Sequence, residues 1–252
     1  MKKRLIIGNW KMYVETPEQA ESFAKGLRAK MRTLKGVDVA LAPSFILIPA
    51  VAEALNRSTI TVGAQAVSQY HANAHTGETS AKMIRAAGAS FVILGHSERR
   101  ALGETNEVVR TQVLEAGAAG LGIVLCVGEV ERDIGGDYFA FIKAELTSAL
   151  VNLPKKSLSK LVIAYEPVWA IGKSANDAMK PQDVHEAIIY IRKILTELFE
   201  RLPAQRIPIL YGGSVEAENA AALLKEGAVN GFLVGHASAS LETFLPILNS
   251  CK

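Results

Sequence analysis

The sequence LVIAYEPVWAIGKS, residues 161–174, joins an apolar run to one carboxylate and an apolar loop. Leu161–Ala164 is entirely apolar, which predicts a strand buried on both faces. The run leads into Glu166, and Pro167 then prevents the chain from continuing a strand ladder. Val168–Gly172 is an apolar loop, although loops usually face water. Such a loop after an isolated carboxylate is typical of a flap that closes over it and excludes water; the alternative is a solvated carboxylate beside a permanently packed loop.

Strand-like apolar runs alternate with amphipathic stretches along the whole chain. We expect strands to begin at eight positions, namely Leu5, Val37, Ile60, Phe91, Leu121, Leu161, Ile207 and Gly231. We expect helices after Thr16, and over Ser44–Leu55, Thr79–Ala87, Thr105–Ala118, Tyr138–Val151, Pro181–Arg201, Val215–Lys225 and Leu241–Leu248.

Repeated strand–helix units require right-handed crossovers and a parallel sheet. Eight units in 252 residues predict a (β/α)8 barrel of the TIM-barrel class, with residues 1–252 forming one domain. The competing architecture is an open doubly wound sheet, which usually carries a glycine fingerprint after its first strand. Gly8-Asn9-Trp10-Lys11 is not such a fingerprint. The sequence therefore favours the barrel.

The composition narrows the class of function. Twenty-eight Lys and Arg against 25 Asp and Glu give a net charge of +3, spread along the chain without a basic block, and aromatic residues are only 6%. This balance suits a small anionic substrate better than nucleic acid. Neither a membrane span nor a signal peptide is expected. The cysteines Cys126 and Cys251 lack metal-ligand spacing, which predicts reduced thiols and a cytoplasmic protein.

Polar residues stand where several predicted strands end, and in a barrel these ends form one rim that carries the active site. They are Asn9 and Lys11 after strand one, His96 after strand four, Glu166 after strand six, Tyr211-Gly212-Gly213-Ser214 after strand seven, and Gly235-His236 after strand eight. Asn9 and Lys11 share a face if the strand continues that far. Each has a simpler interpretation: a solvated lysine, a capping or core histidine, and glycines in tight turns.

Together these residues suit one reaction class. Glycine turns that precede helices let backbone N–H groups approach a phosphate. Glu166 is the candidate general base, His96 a neutral donor to a substrate oxygen, and Lys11 a fixed positive charge. This set favours proton abstraction next to a carbonyl through an enediolate, with Val168–Ile171 as the lid. No spacing indicates a metal site or a nucleotide-binding loop.

The motifs resemble the triosephosphate isomerases over the whole chain. They are Gly8-Asn9-Trp10-Lys11-Met12, Ala64-Gln65, Thr76-Gly77-Glu78, Leu94-Gly95-His96-Ser97-Glu98-Arg99-Arg100, Cys126-Val127-Gly128-Glu129, Ala164-Tyr165-Glu166-Pro167-Val168-Trp169-Ala170-Ile171-Gly172 and Tyr211-Gly212-Gly213-Ser214-Val215. The resemblance implies interconversion of D-glyceraldehyde 3-phosphate and dihydroxyacetone phosphate, without a cofactor, in glycolysis and gluconeogenesis. It also implies a homodimer in which the loop around Thr76 enters the second subunit, with neither nucleic acid nor membrane as partner.

The resemblance also implies a role for individual residues. Glu166 would move the proton, His96 would act as the electrophile, and Lys11 and Asn9 would hold the substrate oxygens. Backbone N–H groups would bind the phosphate, and two further side chains would support the site. The N–H groups are those of Gly172, Ser214, Gly235 and His236, and the supporting residues are Glu98 and Tyr211.

The chain departs from the family pattern at several positions. Lys173-Ser174-Ala175 follows Gly172 where the family usually continues Thr-Gly. Either those two residues are replaced, or they are deleted and Lys173-Ser174-Ala175 matches the Lys-Thr/Ser-Ala that often follows; we favour the deletion, which would shorten the far hinge of the lid. His236 replaces a glycine, which would be costly if that position needs a positive φ. The other departures lie near the expected dimer contacts and are Tyr13, Ala66 and His75. The alternatives are a barrel that binds a phosphorylated metabolite without catalysis, and a scaffold protein.

Overall fold

A computed structural model of the protein describes residues 3–71, 74–133, 135–172 and 179–252. Eight parallel strands, each paired with the next, form a closed barrel in which β8 returns to β1. The strands are β1 Arg4–Asn9, β2 Val37–Ala42, β3 Thr61–Ala64, β4 Phe91–Leu94, β5 Gly122–Val127, β6 Leu161–Tyr165, β7 Ile209–Tyr211 and β8 Gly231–Val234. The (β/α)8 architecture is confirmed, and every strand begins within two residues of its predicted start.

Helices follow the strands and form the outer layer. They are α1 Pro17–Met31, α2 Ile48–Ala54, α3 Ala81–Ala86, α4 Ser97–Ala101, α5 Asn106–Ala118, α6 Asp137–Leu150, α7 Pro181–Phe199, α8 Arg201–Arg206, α9 Ala217–Glu226 and α10 Leu241–Ser250. Short 3-10 helices cover Phe45–Leu47, Lys155–Lys160, Val168–Ala170 and His236–Ser238. Among the described residues, no helix has both the length and the hydropathy needed to cross a membrane.

Two helix predictions need correction. The helix predicted over Pro181–Arg201 ends at Phe199, because Glu200 has a φ of +67° that cannot continue a right-handed helix, and α8 follows it. The stretch predicted over Ser44–Leu55 divides into a 3-10 turn and α2. The helix expected after Thr16 is correct: the Thr16 hydroxyl accepts from the Gln19 N–H, and the Gln19 side chain accepts from the Thr16 N–H.

Two apolar layers hold the barrel together. The larger cluster packs the helices onto the outside of the sheet. The smaller one fills the barrel interior, so the barrel is a packed core and not a pore. Its buried members are Ile7, Ala40, Ala42, Phe91, Ile93, Val124, Cys126, Ala164, Leu210 and Leu233. The chemically useful side chains consequently lie at the rim, in the loops that follow the strands.

Candidate active site

A cavity of about 370 Å³ opens at the carboxyl ends of the strands. Loops after β1, β4, β6, β7 and β8 contribute to its wall, so residues far apart in sequence share one space. The lining residues are Lys11, Tyr13, His96, Glu166, Ile171, Gly172, Gly212, Gly213, Ser214, Val215, Glu216, Leu233, Val234, Gly235, His236 and Ala237.

Glu166 is a buried carboxylate with two polar partners in this cavity. It is 2% exposed, and its Oε2 accepts from the backbone N–H of Ser97 at 3.0 Å. Its Oε1 lies 3.3 Å from Nε2 of His96. A Cβ on Gly212 would lie 2.9 Å from the Glu166 Cγ, so the glycine at this position leaves room for the acid side chain.

His96 is held as a neutral imidazole by its own helix. The residue caps α4, and its Nδ1 accepts a hydrogen bond from the Glu98 backbone N–H at 3.1 Å. An accepting Nδ1 carries no hydrogen, so the ring hydrogen is on Nε2. Nε2 borders the cavity 3.3 Å from Glu166, so its hydrogen is available to a substrate oxygen there. The hydrogen bond from the Glu98 N–H to Nδ1 fixes the position of the ring hydrogen more than the dipole of the five-residue α4 does.

Lys11 occupies an unusual backbone conformation. β1 ends at Asn9, so the alternation that would place Asn9 and Lys11 on one face does not apply. Lys11 has a φ of +47°, and its N–H donates to Oδ1 of Asn9 at 3.2 Å. The Gln65 amide donates to the Lys11 carbonyl at 2.9 Å and to the Ala42 carbonyl at 2.9 Å. Local strain at this residue is therefore offset by contacts from Gln65, which follows β3, and from Asn9 at the end of its own strand.

The ammonium of Lys11 is paired but remains at the cavity. Its Nζ lies 2.6 Å from Oε1 of Glu98, and the Glu98 side chain is 59% exposed. A mostly solvated partner neutralises the lysine only weakly. The positive charge is thus positioned by Glu98 and stays available to an anion.

Two glycine turns face the same cavity. Ser214 follows Gly212-Gly213, and His236 follows Gly235. His236 is not among the positive-φ residues, so the imidazole side chain is tolerated there without backbone strain. The carbonyl of Gly235 accepts from the N–H and the hydroxyl of Ser238, at 2.8 and 2.7 Å, which fixes the second turn.

The apolar loop after β6 is anchored by Glu129, a buried carboxylate in the loop after β5. Its Oε1 accepts from the Tyr165 hydroxyl and from the Trp169 indole N–H, both at 2.9 Å. Its carbonyl accepts from the Val168 N–H at 3.0 Å. The Ser214 hydroxyl donates to the Ala170 carbonyl at 3.1 Å and ties the loop to the turn after β7. Residues Lys173–Ala175, where we predicted a shortened hinge, lie outside the described residues.

A second layer of charge lies behind the cavity. Nε of Arg100 is 3.1 Å from the buried Glu145, which also accepts from the Gly128 N–H at 2.9 Å. Burial raises the pKa of the Glu145 carboxyl to about 7, against the opposing effect of Arg100. Burial first, and then the nearby Glu166 carboxylate, raise the pKa of the Cys126 thiol well above its usual value.

Seven of the ten residues predicted for the site line the cavity, and three lie behind it. Asn9 supports the backbone of Lys11, and Glu98 pairs with its ammonium. Tyr211 is fully buried beneath the turn after β7. Sequence reasoning assigned no role to Gln65 or Glu129. Both stand inside the quoted motifs, but the Gln65 amide donates to backbone carbonyls of distant segments, and the Glu129 carboxylate accepts from the side chains of Tyr165 and Trp169.

Known proteins resemble this chain over nearly its full length. The sequence model of one family, described as triosephosphate isomerase, matches residues 4–251. A triosephosphate isomerase of Protochlamydia amoebophila is 42% identical over 247 residues, covering 97% of this chain and 92% of the relative. The triosephosphate isomerase of Carboxydothermus hydrogenoformans is 40% identical, and the match covers 98% of this chain and 98% of the relative. That of Flavobacterium johnsoniae is 37% identical, and the match covers 99% of this chain and 100% of the relative.

Proposed function

This chain belongs to the triosephosphate isomerase family, and from that premise we propose that its rim cavity interconverts triose phosphates through Glu166, His96 and Lys11. The protein interconverts D-glyceraldehyde 3-phosphate and dihydroxyacetone phosphate, and this reaction is a step of glycolysis. What is proposed is which residues act and how. The observation that carries the assignment is the 3.3 Å approach of Glu166 to Nε2 of His96 in a cavity that Lys11 also lines.

In the proposed mechanism, the Glu166 carboxylate takes a proton from the carbon next to the substrate carbonyl. The electron pair of that bond moves towards the carbonyl oxygen and gives an enediolate. Nε2–H of His96 donates to the oxygen, and the Lys11 ammonium stabilises the developing charge. The proton of the neighbouring hydroxyl then passes to the former carbonyl oxygen through Nε2 of His96. As the electron pair of that hydroxyl oxygen forms the new carbonyl, the protonated Glu166 delivers its proton to the carbon that carried the old one, so no atom is gained or lost.

The phosphate of the substrate is assigned to the backbone N–H groups of Gly172, Ser214, Gly235 and His236. All four residues line the cavity, and Ser214, Gly235 and His236 belong to the two glycine turns. Asn9 is assigned to the support of Lys11. The lid begins at Val168, and its closure would exclude water from an enediolate that could otherwise lose phosphate.

A coupled isomerase assay tests this assignment. Purified protein should convert either triose phosphate into the other, and 2-phosphoglycolate, a stable anion of similar size, should compete with the substrate. Protein that binds 2-phosphoglycolate but shows no conversion would instead support a barrel that binds a metabolite without catalysis. A scaffold protein predicts no functional loss when Glu166→Gln is made.

A homodimer is proposed from the exposed apolar residues near the carboxyl ends of β1 to β4. A patch of large exposed apolar side chains marks an interaction surface more often than single exposed ones do. Those in these loops and helices are Met12, Tyr13, Ile46, Tyr70, Met83 and Leu102, each more than 40% exposed. Tyr70 and Met83 flank the loop around Thr76 in the sequence, and we propose that this loop enters the second subunit. Sedimentation equilibrium should give twice the chain mass of 27.0 kDa.

A cytoplasmic location and a single domain over residues 1–252 complete the proposal. Cys126 and Cys251 are free and buried, which suits a reducing compartment. Small anionic substrates remain the proposed partners, with neither nucleic acid nor membrane. Fractionation of the source cells would test the location.

A further inference from the structure

The loop after β1 and the turn after β8 lie side by side, because β8 pairs with β1 and closes the barrel. The ring of Tyr13, in the first loop, meets the ring of His236, in the second. Their centroids are 4.9 Å apart and their planes are at 75°, an edge-to-face contact. Both residues line the rim cavity. The contact therefore joins the loop that carries Lys11 to the turn assigned to the phosphate.

Lys11 itself lies against that turn. A Cβ on Gly235 would be 3.4 Å from Cε of Lys11 and 3.7 Å from its Nζ. The turn is fixed from below, since Ser238 donates twice to the Gly235 carbonyl. On its solvent side the His236 side chain is exposed and rests on Tyr13. An ammonium and a backbone turn, both able to bind an anion, thus lie close together, and the aromatic contact adds a direct link between the two loops that carry them.

We propose that Tyr13 and His236 form an aromatic bridge that sets the spacing between the Lys11 ammonium and the phosphate-binding turn. Both are positioning residues for the anionic end of the substrate, and this inference rests on the proposed function. The bridge acts mainly on substrate affinity, because it contacts neither Glu166 after β6 nor His96 after β4. Breaking it lets the turn and the Lys11 loop shift relative to each other, so KM rises by more than kcat falls.

Steady-state kinetics of Tyr13→Ala, His236→Gly and the double variant test the bridge. Each single variant should raise KM about three- to tenfold, the range expected for one edge-to-face pair, with kcat within about twofold. The double variant should be no worse than the poorer single variant, because one contact can be broken only once. Tyr13→Phe keeps the ring and should restore KM, and His236→Phe should lie closer to the wild type than His236→Gly. Leu202→Ala, at an exposed apolar side chain of α8, is the matched control.

Several outcomes would overturn the bridge. They are an unchanged KM in His236→Gly, multiplied effects in the double variant, or a His236→Phe variant as weak as His236→Gly. Tyr13 also lies on the proposed dimer face, so the oligomeric state of each variant is measured by sedimentation. If Tyr13→Ala is no longer a dimer, the test of the bridge rests on the KM of His236→Gly. Inactive wild-type protein would contradict the proposed function instead. Calorimetric affinity for 2-phosphoglycolate then reports on the bridge independently of turnover.

Discussion

Replacing Glu166 by glutamine removes the proposed base while changing almost nothing else in the cavity. The side chain keeps its volume. Its amide oxygen can still accept from the Ser97 N–H, which lies 3.0 Å from Oε2 in the wild type. The amide nitrogen cannot accept a proton from carbon. Loss of a positioned general base costs about 10²- to 10⁴-fold in rate. We therefore expect kcat to fall by that factor, which is about 3–5 kcal/mol in the barrier.

The fold should survive this substitution. His96 presents a hydrogen on Nε2 and Ser97 presents an N–H, so the amide –NH₂ of glutamine must face one donor whichever way it is placed. The lost hydrogen bond costs about 1 kcal/mol, and removal of a buried charge acts in the opposite direction. The change in unfolding free energy should thus stay below about 2 kcal/mol.

The assay compares wild type, Glu166→Gln and the exposed control Glu53→Gln in both reaction directions. Chemical denaturation and calorimetric binding of 2-phosphoglycolate are measured on the same preparations. A folded Glu166→Gln variant that binds the anion and turns over within tenfold of the wild type would refute the assignment of the base. Glu53→Gln should retain full turnover, because its side chain stands exposed on α2.

Three further predictions concern groups around the cavity. Lys11→Met should raise KM about 10- to 100-fold, and added salt should then weaken substrate binding less than it does in the wild type. Folding raises the pKa of Glu145 from 4.5 to about 7, so the folded state binds a proton more tightly than the unfolded state does. The resulting contribution to the free energy of unfolding is complete below about pH 4.5 and is lost as pH rises through 7. Denaturation from pH 4.5 to 8 should show wild type losing up to about 3 kcal/mol relative to Glu145→Gln. A thiol reagent at pH 8 should label Cys126 only after unfolding, because the thiol is buried and its pKa is raised. Labelling of the folded protein as fast as that of the unfolded protein would contradict this prediction.

The sequence predicts the barrel well because burial dictates its pattern. Strands of a parallel barrel are covered on both sides, so they appear as continuous apolar runs such as Phe91–Leu94. A helix that opens at His96 is expected from the sequence and is found as α4, but the amphipathic pattern does not show it, because its five residues, Ser97–Ala101, are too few for a 3.6-residue period and none of them is buried. The break at Glu200 was missed because a positive φ on a charged residue carries no sequence signal.

For the site, the residue types at the strand ends could be predicted from the sequence, but the hydrogen bonds that hold those residues in place could not. Glu166, His96 and Lys11 stand at strand ends, which any barrel brings to one rim. The left-handed backbone of Lys11 could not be predicted, because it depends on the Gln65 amide reaching across from β3. Glu129 shows the same difficulty. A lone acid after β5 gives no indication that Tyr165 and Trp169 both donate to it.

The geometry of His96 also bears on how the proposed reaction begins. With Nδ1 occupied by the Glu98 N–H, the ring has one hydrogen to give, on Nε2, and Nε2 lies 3.3 Å from Oε1 of Glu166. We propose that the substrate carbonyl accepts from Nε2–H beside the carboxylate. The group that polarises the carbonyl and the group that takes the proton from the adjacent carbon then act on neighbouring atoms of one substrate, which is why a histidine with a single ring hydrogen suits this position.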